Sequence, residues 1–156
     1  MKTKLSLALL LGAVALLTGC ALDECKEVVD TAPAAPVDEC GEFAKNTKDR
    51  VYFYFDNAEI TPDARKILEC QAAWLKANGG KCKNVTIEGH CDKRGTREYN
   101  LALGERRANA AKDALVAAGV QTNINTISYG KDKPQAEGDS EAIYAQNRTA
   151  ITVVGQ

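Results

Sequence analysis

The stretch GHCDKRGTREYNLALGERRANA, from Gly89 to Ala110, gathers groups that do chemistry: the chain's only histidine, His90, then Cys91, Asp92 and four arginines. Cysteine, histidine and aspartate together suggest a nucleophile, a base and an orienting acid. Strand geometry argues against that use. In NVTIEGH, Val85, Ile87 and Gly89 alternate with Thr86, Glu88 and His90, so adjacent residues face opposite ways and Cys91 diverges from His90. No second histidine repairs the arrangement, and the pattern does not support an enzyme. A zinc site finds no Cys-x-x-Cys pair or finger-like spacing among the cysteines. His90 is expected as a hydrogen-bonded residue at the open end of its strand, Cys91 as a buried free thiol turned toward the core. Neither a metal nor a cofactor is implied.

The segment from Arg97 to about Ala118 reads as a helix closed by Gly119. At roughly 100° per residue, Gly104, Ala108, Ala111, Leu115 and Ala118 share an apolar arc. Asn100 and Arg107 lie together at its edge, while Arg106 points nearly opposite. Arg106 is therefore expected in solvent, and Arg107 where an unpaired charge is costly. Asp92, a few residues before the helix, is the nearby candidate partner. One reading is an internal salt bridge that fixes the loop. The other is a bipolar socket, whose carboxylate takes a ligand ammonium and whose guanidinium fork takes a ligand carboxylate. Spacing leaves both open.

Several elements must position these groups. VYFYFD, Val51 to Asp56, alternates as a strand. Thr61-Pro62 offers an N-cap and a first-turn proline for a helix whose inward positions are Ala64, Ile67, Leu68, Gln71, Ala72 and Leu75, ending at Asn78-Gly79-Gly80. NVTIEGH is the second strand, NINTISYG the third, SEAIYAQN a short helix and TAITVV the last strand. Alternating strands suit a sheet covered on one face. The expected fold is a two-layer α/β sandwich, β-α-β-α-β-(α)-β, with a mixed sheet and helices on one side.

TIEGHCDKRGTREYNLALGERRANAAKDAL, Thr86 to Leu115, resembles the signature of the OmpA-like peptidoglycan-binding domain. VYFYFDNAEITPDARKIL, SYGKDKP and EAIYAQNR extend the resemblance over roughly residues 51–154, toward lipid-anchored members of that family. The resemblance implies that Asp92 and Arg107 grip the amino and carboxylate ends of diaminopimelate on a peptidoglycan stem peptide. It places Asn100 beside the pair and Phe55 and Asp56 along the pocket. It also implies the Tol proteins TolB and TolA as partners. A rival reading keeps the fold and assigns it mainly protein contacts, with little wall affinity. The family usually ends its short helix with two arginines, where this chain has Arg148-Thr149.

MKTKLSLALLLGAVALLTGC carries two lysines, an apolar run from Leu5 to Leu17, and Cys20 after a small-residue site. The run is shorter than the roughly 20 residues of a membrane span and reads as a secretory signal. Its end resembles a bacterial lipobox, which implies residues 1–19 as signal and lipidation of Cys20. Ala21 at the next position then implies the outer membrane, with the chain anchored in its lipid on the periplasmic side. Residues 20–42, with DTAPAAPVDE, read as a tether, and residues 43–156 as the folded domain. Without Lys2 and Lys4 the chain has 18 basic against 21 acidic residues, and only 6% are aromatic. Neither favours nucleic acid. In an oxidising compartment the remaining cysteines suggest disulfides, with Cys70–Cys82 and Cys25–Cys40 as the expected pairs.

Overall fold

The alternation in NVTIEGH and NINTISYG produces two strands, and 30-odd residues between them leave room for the crossover helix that a parallel pair requires. The computed structural model describes residues 43–79 and 82–155. The signal-like segment, Cys20, the tether, Cys25 and Cys40 lie outside the described residues. The elements are α1 (Phe43–Asn46), β1 (Arg50–Tyr52), α2 (Pro62–Asn78), β2 (Asn84–His90), α3 (Arg97–Ala117), β3 (Asn123–Gly130), α4 (Glu141–Asn147) and β4 (Thr149–Gly155). The sheet order is β1-β4-β2-β3. Strand β3 runs parallel to β2, and β4 runs antiparallel to both β1 and β2. This is the mixed sheet expected from the sequence.

Side-chain caps set where the helices begin. Thr61 Oγ1 accepts the Ala64 amide at 3.1 Å, with Pro62 at the first helical position, and Thr96 Oγ1 accepts the Tyr99 amide at 3.2 Å. Helix α2 buries Ala64, Leu68, Ala72 and Leu75, and α3 buries Ala108, Ala111 and Leu115, against Val51, Val85, Ile87, Ile124 and Ala150 of the sheet. Ile127 and Val153 are exposed. Gln71, the polar member of the inward stripe, is fully buried and satisfied: Nε2 donates to Lys48 O at 2.6 Å and Oε1 accepts from Thr152 Oγ1 at 2.8 Å.

Two features depart from expectation. Strand β1 stops at Tyr52 instead of running to Asp56, because Tyr52 pairs with Thr149 and Thr149 is where β4 begins. Beyond that point the chain turns, and Asp56 adopts a left-handed φ of 51°. The four-residue α1 had no periodic signal. Its Phe43 packs edge-on against Trp74, with ring centroids 5.2 Å apart.

Close backbone approach fixes α3 to β2. A Cβ added at Gly89 would stand 1.9 Å from the backbone oxygen of Gly104. No side-chain movement relieves such a clash. Gly89→Ala is therefore expected to lower unfolding free energy by about 3 kcal/mol, read as a reduced urea midpoint. An unchanged midpoint would contradict the contact.

Candidate functional site

The loop between β2 and α3 delivers Asp92 just beyond the strand end, and the first three turns of α3 deliver Asn100 and Arg107 to the same place. The turn after β1 brings Phe55 and Asp56. All five line one cavity of about 130 Å³, together with Cys91, Arg94, Gly95, Tyr99 and Leu103.

Asp92 is buried. Its Oδ1 accepts from the Arg94 amide and Arg94 Nε, each at 3.1 Å, and its Oδ2 accepts from Arg94 Nη2 at 2.6 Å and Arg148 Nη1 at 3.4 Å. Burial pushes this carboxyl's pKa up, but the Arg94 hydrogen bonds and the charge of Arg94, with help from Arg148, outweigh it and hold it below the ordinary value. Asp92 is thus a carboxylate at neutral pH. The Arg94 guanidinium also stacks over Phe55, 4.1 Å from the ring centre, and over Tyr144 at 4.6 Å.

Arg107 is fully buried, yet it makes no ion pair with Asp92. The internal salt bridge is therefore corrected: arginines 94 and 148 take the carboxylate. Arg107 instead donates from Nε to Asn57 O at 2.9 Å, from Nη1 to His90 O at 2.9 Å and to Cys91 Sγ at 3.4 Å, and from Nη2 to Tyr54 O at 3.1 Å. Uncharged acceptors satisfy the shape of the guanidinium and leave its charge without a carboxylate partner. Burial lowers its pKa from the usual arginine value, though arginine keeps its proton in proteins. Four of the five N–H groups are committed, so a free two-pronged fork is also corrected. One Nη2–H and a positive charge without a direct ion-pair partner remain for a guest anion.

Asn100 acts on the loop. Its Nδ2 donates to Arg94 O at 2.7 Å and Thr96 O at 3.0 Å, fixing the backbone that carries Asp92. Tyr99 OH donates to Asp56 across the cavity mouth. Cys91 is the free, buried thiol expected, but it lines the cavity instead of turning away from it. Its Sγ donates to Asn100 O at 3.3 Å, and burial pushes its pKa up against the pull of Arg107. A thiol held protonated in this way is a poor nucleophile. His90 is, as expected, a hydrogen-bonded residue at the end of its strand, but that end is closed. It is fully buried beneath the loop after β3, with Nδ1–H donating to Lys133 O at 3.0 Å and its ring stacked on Tyr129. Burial lowers its pKa, so it is neutral.

Arg94 and Arg148 were missed as carboxylate partners. Arg94 had a local signal, an arginine two residues after an aspartate at a turn. Arg148 comes from 56 residues away and had none. It also donates from Nε to Phe53 O at 3.1 Å and from Nη1 to Glu141 at 2.8 Å. Thr149, which stands in place of the family's second arginine, is fully buried, and its hydroxyl donates to Val51 O at 2.7 Å. That position belongs to the sheet and not to the cavity. Among the described residues no cluster of three or more His, Cys, Asp or Glu is placed to hold a metal ion. Among them too, no helix is long and apolar enough to cross a membrane.

Comparison with known proteins adds to this geometry. The OmpA family profile matches residues 52–148. The chain is 51% identical over 117 residues to the peptidoglycan-associated lipoprotein of Rhizobium meliloti, covering 73% of this chain and 64% of that relative's length. It is 47% identical over 124 residues to the protein of the same name from Brucella melitensis, covering 79% and 73%. The crystal structure of the peptidoglycan-associated lipoprotein from Burkholderia pseudomallei superposes with a TM-score of 0.65 at 41% identity, covering 69% of this chain and 91% of that one. The chain belongs to the OmpA family, and within it to the peptidoglycan-associated lipoproteins.

Proposed function

We propose that this protein is an outer-membrane lipoprotein, anchored on the periplasmic side through Cys20, that holds the cell wall noncovalently by the diaminopimelate of uncrosslinked stem peptides. The observation that carries the reading is a small cavity with a buried carboxylate and a buried, carboxylate-free guanidinium on its wall. A zwitterionic head group complements it: the ammonium goes to Asp92 and the carboxylate to Arg107. The names of the relatives support the wall as the source of that head group. Joining lipid anchor to wall binding gives a tether between membrane and peptidoglycan. TolB and TolA are its partners in supporting envelope integrity and cell division.

Purified mature protein should co-sediment with diaminopimelate-type sacculi and not with lysine-type sacculi, whose stem peptides lack the side-chain carboxylate. Equal sedimentation with both would overturn the head-group assignment.

A second reading has one observation in its favour. Arg94 already covers Asp92, as in a site that serves structure alone, with action mainly through protein contacts. The wall-binding reading makes Arg94 an exchangeable stand-in for the guest's ammonium. Arg94→Gln removes that competitor and is expected to tighten stem-peptide binding several-fold in calorimetric titration. Weaker binding would show that Arg94 belongs to the grip itself.

A further inference from the structure

The motif SYGKDKP at the end of β3 contributes nothing to the walls of the Asp92 cavity, yet its lysine reaches the loop that carries Asp92. Gly130 takes a left-handed φ of 52°, and a Cβ there would stand 2.9 Å from the Leu101 nitrogen, so the position suits glycine alone. The chain turns at that point. The Asp132 amide donates to Tyr129 O at 2.9 Å, and Gly130 O accepts the Cys91 amide at 2.8 Å. Lys131 is thereby set against the loop after β2, where its Nζ donates to Gly95 O at 2.6 Å and to Lys93 O at 3.4 Å.

Asn100 holds the carbonyls in between, those of Arg94 and Thr96. Four successive carbonyls are thus taken alternately, residues 93 and 95 by an ammonium from the end of β3 and residues 94 and 96 by an amide of α3. Lys93, Arg94 and Gly95 lie between β2 and α3, outside the hydrogen-bond ladder of either element. Their arrangement matters to the cavity, because the Arg94 amide donates to Asp92 Oδ1 at 3.1 Å and the Arg94 side chain holds the same carboxylate. Two further ties join the loops after β2 and β3 through side chains alone, Arg97 with Asp132 and Lys93 with Asp139. Both pairs are largely exposed, where ion pairs add little.

We propose that Lys131 is a positioning residue for the diaminopimelate site: from outside the cavity it holds the 93–96 backbone in the arrangement that presents Asp92 and Arg94 to a guest. The inference rests on the reading of the cavity as a wall-binding site. A loop ordered beforehand spares the guest the cost of ordering it. Without the clamp the loop samples other arrangements, and apparent affinity falls in proportion to the fraction that remains competent.

Isotope-labelled mature protein, as wild type, Lys131→Met and Lys131→Arg, is titrated with a soluble stem tripeptide ending in diaminopimelate. Lys131→Met keeps an unbranched stem and removes the donors. It is expected to bind about five- to tenfold more weakly, with a thermal midpoint within about 5 °C of wild type. Backbone order parameters of residues 93–96 in the free protein should fall from about 0.85 toward 0.6, and recover when the guest saturates the site. Lys131→Arg, whose guanidinium donates to both carbonyls, should bind within about twofold of wild type. Wild-type affinity in Lys131→Met overturns the proposal, whether or not the loop loosens. Weakening with unchanged order parameters, with a midpoint lowered by more than about 5 °C, or without rescue by arginine assigns Lys131 another role and overturns it too. A wild type that does not bind the tripeptide overturns the reading of the cavity instead, and the order parameters of the free proteins still decide whether Lys131 holds the loop.

Discussion

Arg107→Ala is expected to lower unfolding free energy by about 4 kcal/mol, a loss of roughly 15 °C in the calorimetric midpoint for a domain of this size. The side chain is fully buried and donates to the backbone oxygens of Tyr54, Asn57 and His90. Its removal leaves three carbonyls without their donor and opens a void where α3 meets two separate segments. Each unsatisfied buried group costs about 1–3 kcal/mol, and water entering the void recovers part of it. Arg107→Lys keeps the charge but cannot span all three acceptors, and should lose about half as much. A midpoint shift under about 4 °C for the alanine protein would show that these contacts are dispensable.

Asp92→Asn keeps the shape of the cavity and removes its negative charge. It is expected to weaken stem-peptide binding by at least about 30-fold, the lower end of the effect of truncating one partner of a buried charged hydrogen bond. Titration calorimetry of folded variant against wild type reads it, and a change below threefold would remove Asp92 from the grip. The substitution also has a signature in acid. The folded-state pKa of Asp92 is held below its ordinary value of 3.8. Its contribution to stability is therefore complete above that value and is lost as pH falls through the lower folded pKa. Wild type should lose this increment below about pH 4, and Asp92→Asn should lack it throughout.

Much of the fold could be read from the chain because local signals agreed with the tertiary solution. Thr61-Pro62 marked a helix start, Gly119 marked an end with its positive φ of 88°, and the period-two pattern placed β2 and β3. The helical wheel separated buried Arg107 from exposed Arg106 and put Asn100 beside it. What failed were matters of partnership. Asp92 and Arg107 are opposite charges at one cavity, and simple complementarity pairs them; a nearer arginine, Arg94, and a distant one, Arg148, win the carboxylate. Strand β1 was overextended because its pattern continues past the point where β4 offers a partner. His90 was expected at an open strand end, but the loop carrying Lys133 folds over it. For β1, for His90 and for the Arg148 contact the deciding group comes from elsewhere in the chain, where periodicity carries no information.

A single titration reaches the cavity itself. Isotope-labelled domain is mixed with a soluble stem tripeptide ending in diaminopimelate, and backbone amides and the Arg107 side-chain Nε–H are followed by NMR. Saturable shifts are predicted at Phe55–Asn57, Cys91–Gly95 and the Arg107 Nε–H, with one dissociation constant for all of them. Absence of saturable shifts, or shifts confined to residues outside this cavity, would contradict a diaminopimelate site built on Asp92 and Arg107.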